Sequence, residues 1–434
     1  MGKIFSGVTG FFAGSESRQD SSRSLFILAT LLILVILPGC ATYSLSVAQV
    51  ETATANRDLD GAIKTLNDLK LSGPDETLLH LNKGTLFRLQ GNYADSNGQF
   101  DSAKNLMEKF NAISIKEQLA SVSVNDTMKA YEGLPSEQMM VYAFEALNYL
   151  QSGDVDGAAV EARQFDVKQQ LIAEKNNNAK YLSGAFVRYL DSMVFEAAGE
   201  KDDARIDMEK AVEGYRKQNS GFPVPQSLME DLKRNNAGKA APSEVVFILH
   251  NGLGPTLSEE IIRVVNPKPQ NGSAMFSLAV PKFARRSVPV ARVVLSEGNA
   301  SATSEIVEDV NNIAERSFKD RLPAIIARGV ARMVAKSVAV GETTKKEGDL
   351  AGFIMNVATT VSERADTRSW NLLPGNILMA RLPLPAGKHM VTARYYSASG
   401  NELGSHEFEV VVKAGRKTFA SDYFMNPPAQ SKAN

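Results

Sequence analysis

One short pattern recurs four times in the first half of this chain and limits what that half can become. It is a turn of small or polar residues followed at once by a helix start. The four copies are Asn56-Arg57-Asp58-Leu59-Asp60-Gly61-Ala62, Gln90-Gly91-Asn92-Tyr93-Ala94-Asp95-Ser96, Ser152-Gly153-Asp154-Val155-Asp156-Gly157-Ala158 and Ala198-Gly199-Glu200-Lys201-Asp202-Asp203-Ala204. Glycine in such a turn tolerates the left-handed backbone that ends a helix. Ala62, Ala158 and Ala204 let a paired helix approach closely, and Leu66, Phe100, Ala162 and Met208 follow on the same face. A unit of this kind cannot bury its own apolar face, so the units must stack.

From Arg57 to Gly91 is 34 positions. Gly84 and Phe87 fit the G-x2-Y step of a tetratricopeptide repeat, and Gly91, Tyr93, Ser96, Phe100 and Ala103 fit its second helix. The segment resembles that repeat family, with Gly84, Gly91, Tyr93, Gly153 and Gly199 as the structural turn and packing residues. It departs from the pattern at His80, which stands where an aromatic is expected. The later turns are 62 and 46 residues apart, with an insertion around residues 110–138. The resemblance implies helix pairs over residues 40–235 and a concave surface of the sort that binds peptides and proteins; a plain helical bundle is the alternative.

The period then changes. Asn219 to Pro225 stops the helical pattern, and a second breaker, containing Gly238 and Pro242, places a linker at 236–243. Beyond it come runs rich in β-branched and aromatic residues: Glu244–His250, Ala274–Val280, Val288–Leu295, Asn376–Pro383, Lys388–Tyr396, His406–Lys413 and Lys417–Ser421. Leu384-Pro385-Ala386-Gly387 fits a type I turn, and the hairpin from Leu382 to Tyr396 resembles the small PEGA-type β modules. The expected fold class is therefore α+β and multidomain. A tetratricopeptide-like helical domain precedes a β-sandwich-like domain at 244–425, with a helical insertion at 303–364 and a disordered tail at 426–434.

Within the insertion, Ser304-Glu305-Ile306 onward reads as an amphipathic helix, and Leu322–Val340 and Gly352–Val361 are apolar. Two apolar helices of this length would cover a sheet. The sharper reading makes Arg328, Arg332 and Lys336, four residues apart, a stripe that meets membrane phosphate or an acidic partner. Trp370, the only tryptophan, either packs the core beneath the incoming strand or anchors a partner.

The chain opens with a polar, mildly basic stretch, then an uncharged apolar run of 13 residues, Leu25 to Leu37, ending in Leu37-Pro38-Gly39-Cys40. At about 1.5 Å per residue this run falls short of the roughly 30 Å hydrocarbon core, and its organisation is that of a secretory signal over 1–39. Leu-Pro-Gly-Cys resembles the bacterial lipobox, although Pro38 stands where a small residue is usual. That resemblance implies a thioether-linked lipid on Cys40, the chain's only cysteine. Each buried methylene contributes about 0.8 kcal/mol, so two or more acyl chains anchor stably. Ala41 follows Cys40 where Asp would signal inner-membrane retention, which implies the outer membrane with the body facing the periplasm.

Charge points to no polyanionic partner: 48 basic residues oppose 49 acidic ones, without a long charged tail. No G-x-S-x-G, H-E-x-x-H or Walker motif occurs. His80, His250, His389 and His406 are scattered, without metal-ligand spacing. Taken with Cys40, the Gly91–Tyr93 turn and the segment Ala365–Pro385, the order of features resembles a family of Gram-negative outer-membrane lipoproteins that join tetratricopeptide-like helices to a β-rich C-terminal domain. It implies a non-enzymatic scaffold with no cofactor beyond the lipid, whose partners are an envelope protein and the membrane, and neither nucleic acid nor a small substrate. A subunit of an oligomeric export complex is the second expectation, and a peptidoglycan-acting enzyme the third.

Overall fold

The computed structural model describes residues 43–117, 129–177, 179–218, 222–265, 275–347 and 364–426. The signal segment, Cys40, the apolar stretch Gly352–Val361 and residues 427–434 lie outside the described residues. From Tyr43 onward the chain forms one compact unit of mixed α/β structure.

All four recurring turns join helices. The pairs are α2 (Ala48–Ala55) with α3 (Leu59–Asp68), α4 (Glu76–Leu89) with α5 (Tyr93–Glu117), α6 (Pro135–Ser152) with α7 (Val155–Lys175), and α8 (Ala185–Ala198) with α9 (Lys201–Gln218). A short α1 (Tyr43–Ser46) precedes them and α10 (Gln226–Asn236) follows. Each turn has one left-handed residue in the same place: Arg57, Gly91, Gly153 or Gly199, with φ of 61°, 78°, 83° and 84°. The amide after it reaches back across the helix end, from Asp58 to Ala53 O, Asn92 to Phe87 O, Asp154 to Tyr149 O and Glu200 to Phe195 O. These are repeated Schellman ends, which satisfy carbonyls that a helix terminus would leave open. Asp58 and Asp154 then accept from the amides of Gly61 and Gly157, capping the next helix.

The residues singled out for packing behave as expected. Ala62, Ala158, Ala204, Leu66, Phe100, Ala162 and Met208 are all buried. Gly84 has its reason in Phe100: a β-carbon there would lie 2.5 Å from the ring, so glycine lets α4 and α5 close on each other.

The strands are β1 (Glu244–Asn251), β2 (Thr256–Val265), β3 (Met275–Ala284), β4 (Arg292–Glu297), β5 (Ala300–Thr303), β6 (Glu305–Glu308), β7 (Asn376–Pro383), β8 (Gly387–Tyr396), β9 (Glu402–Val412) and β10 (Lys417–Phe424). One sheet runs β10-β1-β7-β6 and another β5-β4-β8-β9, while β2 and β3 pair only with each other. In β1 alternation sets two cores at once. Val245, Phe247 and Leu249 meet Val293, Leu295, Val391 and Tyr395 of the second sheet. Val246 and Ile248 join Phe144, Tyr189 and other helical residues. Every residue of β1 is buried, the mark of a strand covered on both faces.

Two sequence expectations fail. The insertion was expected to be helical from Thr303, but Ala300–Thr303 and Glu305–Glu308 are strands, and the helix α11 runs from Val310 to Glu347. The period here is two: Val307 is buried under the helices, with its carbonyl accepting from the Tyr215 hydroxyl, while Ile306 points outward. Thr256–Val265 was not expected as a strand at all. Its charges, Glu259, Glu260 and Arg263, interrupt the apolar run, and it is held by pairing with β3 and by Ile262 and Val264, which pack beneath α11.

The linker at 236–243 marks the change of secondary structure, but packing crosses it. Arg381 of β7 bonds Asp231 of α10 (2.7 and 3.0 Å) and Glu244 of β1 (2.6 Å). Lys417 of β10 pairs with Glu196 of α8, and Arg234 of α10 bridges Glu196 and Asp231. Three cations meet three carboxylates at a mostly buried junction, so removing any one leaves an uncompensated charge.

Candidate functional site

The helical stack has an inner and an outer side. In α6 and α8 nearly every residue is buried, because outer helices cover one side and the β10-β1-β7-β6 sheet covers the other. The surface that a stacked helical array would present inward is therefore occupied by the chain's own sheet.

Trp370 belongs to that filling. It is 1% exposed, with its ring centroid 5.7 Å from Phe100 and 5.5 Å from Phe144. Its indole NH donates to Thr85 Oγ1 (3.0 Å) and its backbone amide to Glu137 Oε1 (2.7 Å). The partner-anchor expectation for Trp370 is thus corrected to core packing, because the helices close over the segment that leads into β7. The adjoining Arg368 ties this segment down through Asp366, Asp75, Pro74 O and Lys129 O.

The expected cationic stripe also divides. Arg328 is exposed on α11, whereas Arg332 is 5% exposed and so cannot be part of a solvent-facing row; the Lys336 side chain lies outside those described. The helix turns inward there because Val330, Met333 and Val334 pack on Leu278, Val280, Ile262 and Val264 of the β2–β3 hairpin, forming a small separate core. Gly329 permits the approach, since a β-carbon would lie 2.6 Å from Leu278. Ile261 and Val265, 68% and 74% exposed, stay uncovered on this arm.

Of the repeat-turn residues, Gly91, Gly153 and Gly199 end helices, Tyr93 opens α5 and Gly84 packs on Phe100. None of them faces a common pocket. Arg57 takes the place of glycine in the first turn and has a second job: its guanidinium bonds Asp422 (3.0 and 3.1 Å) and Tyr423 O, lying 4.4 Å above the Tyr423 ring. Asp422 also accepts from Tyr395 OH (2.6 Å).

Two polar clusters went unread in the sequence. Asp101, Glu145 and Glu161 come within metal-ligand reach of one another. Lys104 Nζ, however, lies 3.0, 2.7 and 2.9 Å from the three, so an ammonium already takes the position a cation would occupy. Burial pushes the Glu145 carboxyl well above the usual carboxylate range against the pull of Lys104. The i, i+3 spacing of Asp101 and Lys104 was visible, but their meeting with α6 and α7 depends on how the helices stack. The second cluster is at the junction of β6 and α11. Glu308 is buried, with its carboxyl pushed up to about 8 by desolvation, partly offset by the Asp309 amide. Next to it is a cavity of about 10 Å³ lined by Met139, Met140, Val187 and Ile313, about the volume of one water.

On the surface, Phe222–Gln226 and Glu305, Ile306, Asp309 and Asn312 line a groove of about 510 Å³ beside the edge strand β6. Its acidic groups are committed: Glu305 caps α10 through Gln226 N, Ser227 N and Ser227 Oγ, and Asp309 caps α11 through Asn312 N.

No protein-family model, no curated protein and no solved structure matches this chain.

Proposed function

We propose that this protein is a lipid-anchored scaffold of the bacterial outer membrane, tethered through Cys40 with its body in the periplasm, that holds another envelope protein on the outer faces of tetratricopeptide-like helices. In this reading the two four-stranded sheets form a sandwich-like β domain that braces the helices. The protein carries no cofactor beyond the lipid and catalyses no reaction. The observation that supports it best is the fourfold recurrence of one helix-end geometry, at Arg57, Gly91, Gly153 and Gly199. Repetition of a turn builds an extended surface rather than a pocket. Since the inner side of the stack is packed on the sheet, the partner would use the outer side, formed by α5, α7 and α9.

Metabolic labelling with palmitate and membrane fractionation test the anchor. Label in the wild type that is lost in Cys40→Ser, with release of the protein from the outer-membrane fraction, is the expected result. A Cys40→Ser protein that remains processed and anchored would end the lipoprotein reading. A subunit of an oligomeric export assembly is the second reading, favoured by the β2–β3 and α11 arm with Ile261 and Val265 open to solvent.

A further inference from the structure

The two most exposed large apolar side chains among the described residues, Val265 and Ile261 at 74% and 68%, stand on one face of β2. Arg263 lies between them and is exposed as well, so the row reads apolar, cationic, apolar at the two-residue period of a strand. The opposite face, with Ile262 and Val264, packs beneath α11. The acidic groups of β2 are engaged elsewhere: Glu259 accepts from the Ala365 amide (2.8 Å) and Glu260 is 3.4 Å from Lys282. No ion pair joins Arg263 to another described residue, so the row keeps a positive charge.

This strand is rooted where the chain's tether emerges. Ser44 Oγ bonds Leu257 O (2.8 Å), at the base of β2, and Thr367 O (3.0 Å). Leu45, next in sequence, is 59% exposed. Cys40 stands three residues before Tyr43, so the reach of the backbone keeps a lipid on its sulfur attached within about 11 Å of Tyr43. From Leu257 to Val265 the strand runs about 26 Å.

We propose that the Ile261–Arg263–Val265 face of β2 rests on the phospholipid surface that holds Cys40, with both apolar side chains in the headgroup boundary and the Arg263 guanidinium on lipid phosphate. A cation on a long apolar stem reaches the phosphate layer while its apolar neighbours stay immersed. The occupant follows from the tether: a membrane that holds Cys40 passes within that reach of Tyr43, and β2 is the strand bonded beside it. Two apolar side chains and one cation are too few to hold a membrane unaided, and the anchor supplies the local concentration that makes the contact. This inference rests on the anchor reading of Cys40.

The test uses the full chain as the cell processes it, placed in vesicles of phosphatidylethanolamine with about one quarter phosphatidylglycerol and treated with a nitrobenzoxadiazole maleimide, a dye that brightens out of water. Wild type should take up no dye, since its only cysteine would be closed as a thioether. The control is Val411→Cys, 59% exposed on β9. Val411 O accepts from Thr418, which pairs with Val245 near the start of β1, whereas β2 follows the end of β1. Dye on Val265→Cys should be about three-fold brighter than dye on Val411→Cys and should be quenched by nitroxide-labelled lipid. Adding Arg263→Glu should cut that gain about three-fold, and Arg263→Lys should keep it. Dye uptake by Cys40 in wild type would end the anchor reading and this inference with it. With Cys40 closed to dye, equal brightness at 265 and 411, no quenching at 265, or a gain untouched by Arg263→Glu would overturn this inference alone.

Discussion

The junction between helices and sheet and the β2–β3/α11 arm are built from similar residue types but held very differently. At the junction, α6 and α8 are covered on two sides, Trp370 fills the seam, and six charges of α8, α10, β1, β7 and β10 balance in a mostly buried network. The arm has a two-stranded hairpin against one face of one helix, with three buried apolar residues in its cluster. A lone hairpin is marginal in water and needs such a helix to persist. The difference teaches that stability in this chain follows the number of covered faces rather than local apolar content. The junction should therefore unfold as one body, and the arm should open by itself.

The sharpest way to break that comparison is Trp370→Ala. It removes the largest buried side chain of the seam and the indole hydrogen bond to Thr85, and should cost about 3–5 kcal/mol. Denaturation followed by far-ultraviolet circular dichroism should show helices and strands still melting together at a lower midpoint. Separate transitions would mean that the two halves are independent.

Glu308 tests the junction by pH. Its folded-state carboxyl titrates at about 8, so between the ordinary carboxylate range and pH 8 the folded protein holds a proton that the unfolded chain has released. Stability then falls as pH rises through that window, by at most about 1.4 kcal/mol per unit, and levels off above it. Glu308→Gln keeps the neutral shape, so its midpoint should match wild type near pH 5 and exceed it near pH 8. An unaltered pH profile would place the charge in contact with solvent.

For the arm, Leu278→Ala should cost about 2–4 kcal/mol locally. Amide exchange in β2, β3 and the Ile326–Val334 part of α11 should accelerate while the global midpoint stays put. A fall in the global midpoint would show the arm to be part of the main cooperative unit. The smallest effect concerns the turns. Gly153→Ala forces a side chain into the left-handed region at φ 83° and should lower stability by about 1 kcal/mol, read as a small shift of the same single transition.

Much of the fold was legible because it is local. The four turns were found from short residues before a helix start, and β1, β7 and β8 from β-branched runs bounded by turn signals; all lie where the patterns place them. The misses share a cause. Thr256–Val265 and Glu305–Glu308 carry charges that read as loop or helix, and they are strands because β3 and β7 supply the partner hydrogen bonds. For Trp370 the core-packing alternative holds, whereas Arg332 could not be placed from its neighbours in sequence, since burial there comes from strands tens of positions away.

By itself, then, the sequence determined where helices turn, where the backbone changes from period 3.6 to period two, and which glycines those turns and the α4–α5 contact need. Each of these depends on a few neighbouring residues. Only the tertiary structure decided that the inner side of the helical stack is closed by the chain's own sheet, that Lys104 fills the carboxylate cluster, and that α7 keeps an apolar face in water. Those outcomes depend on which surfaces meet, and that is settled by packing over the whole chain rather than by any short pattern within it.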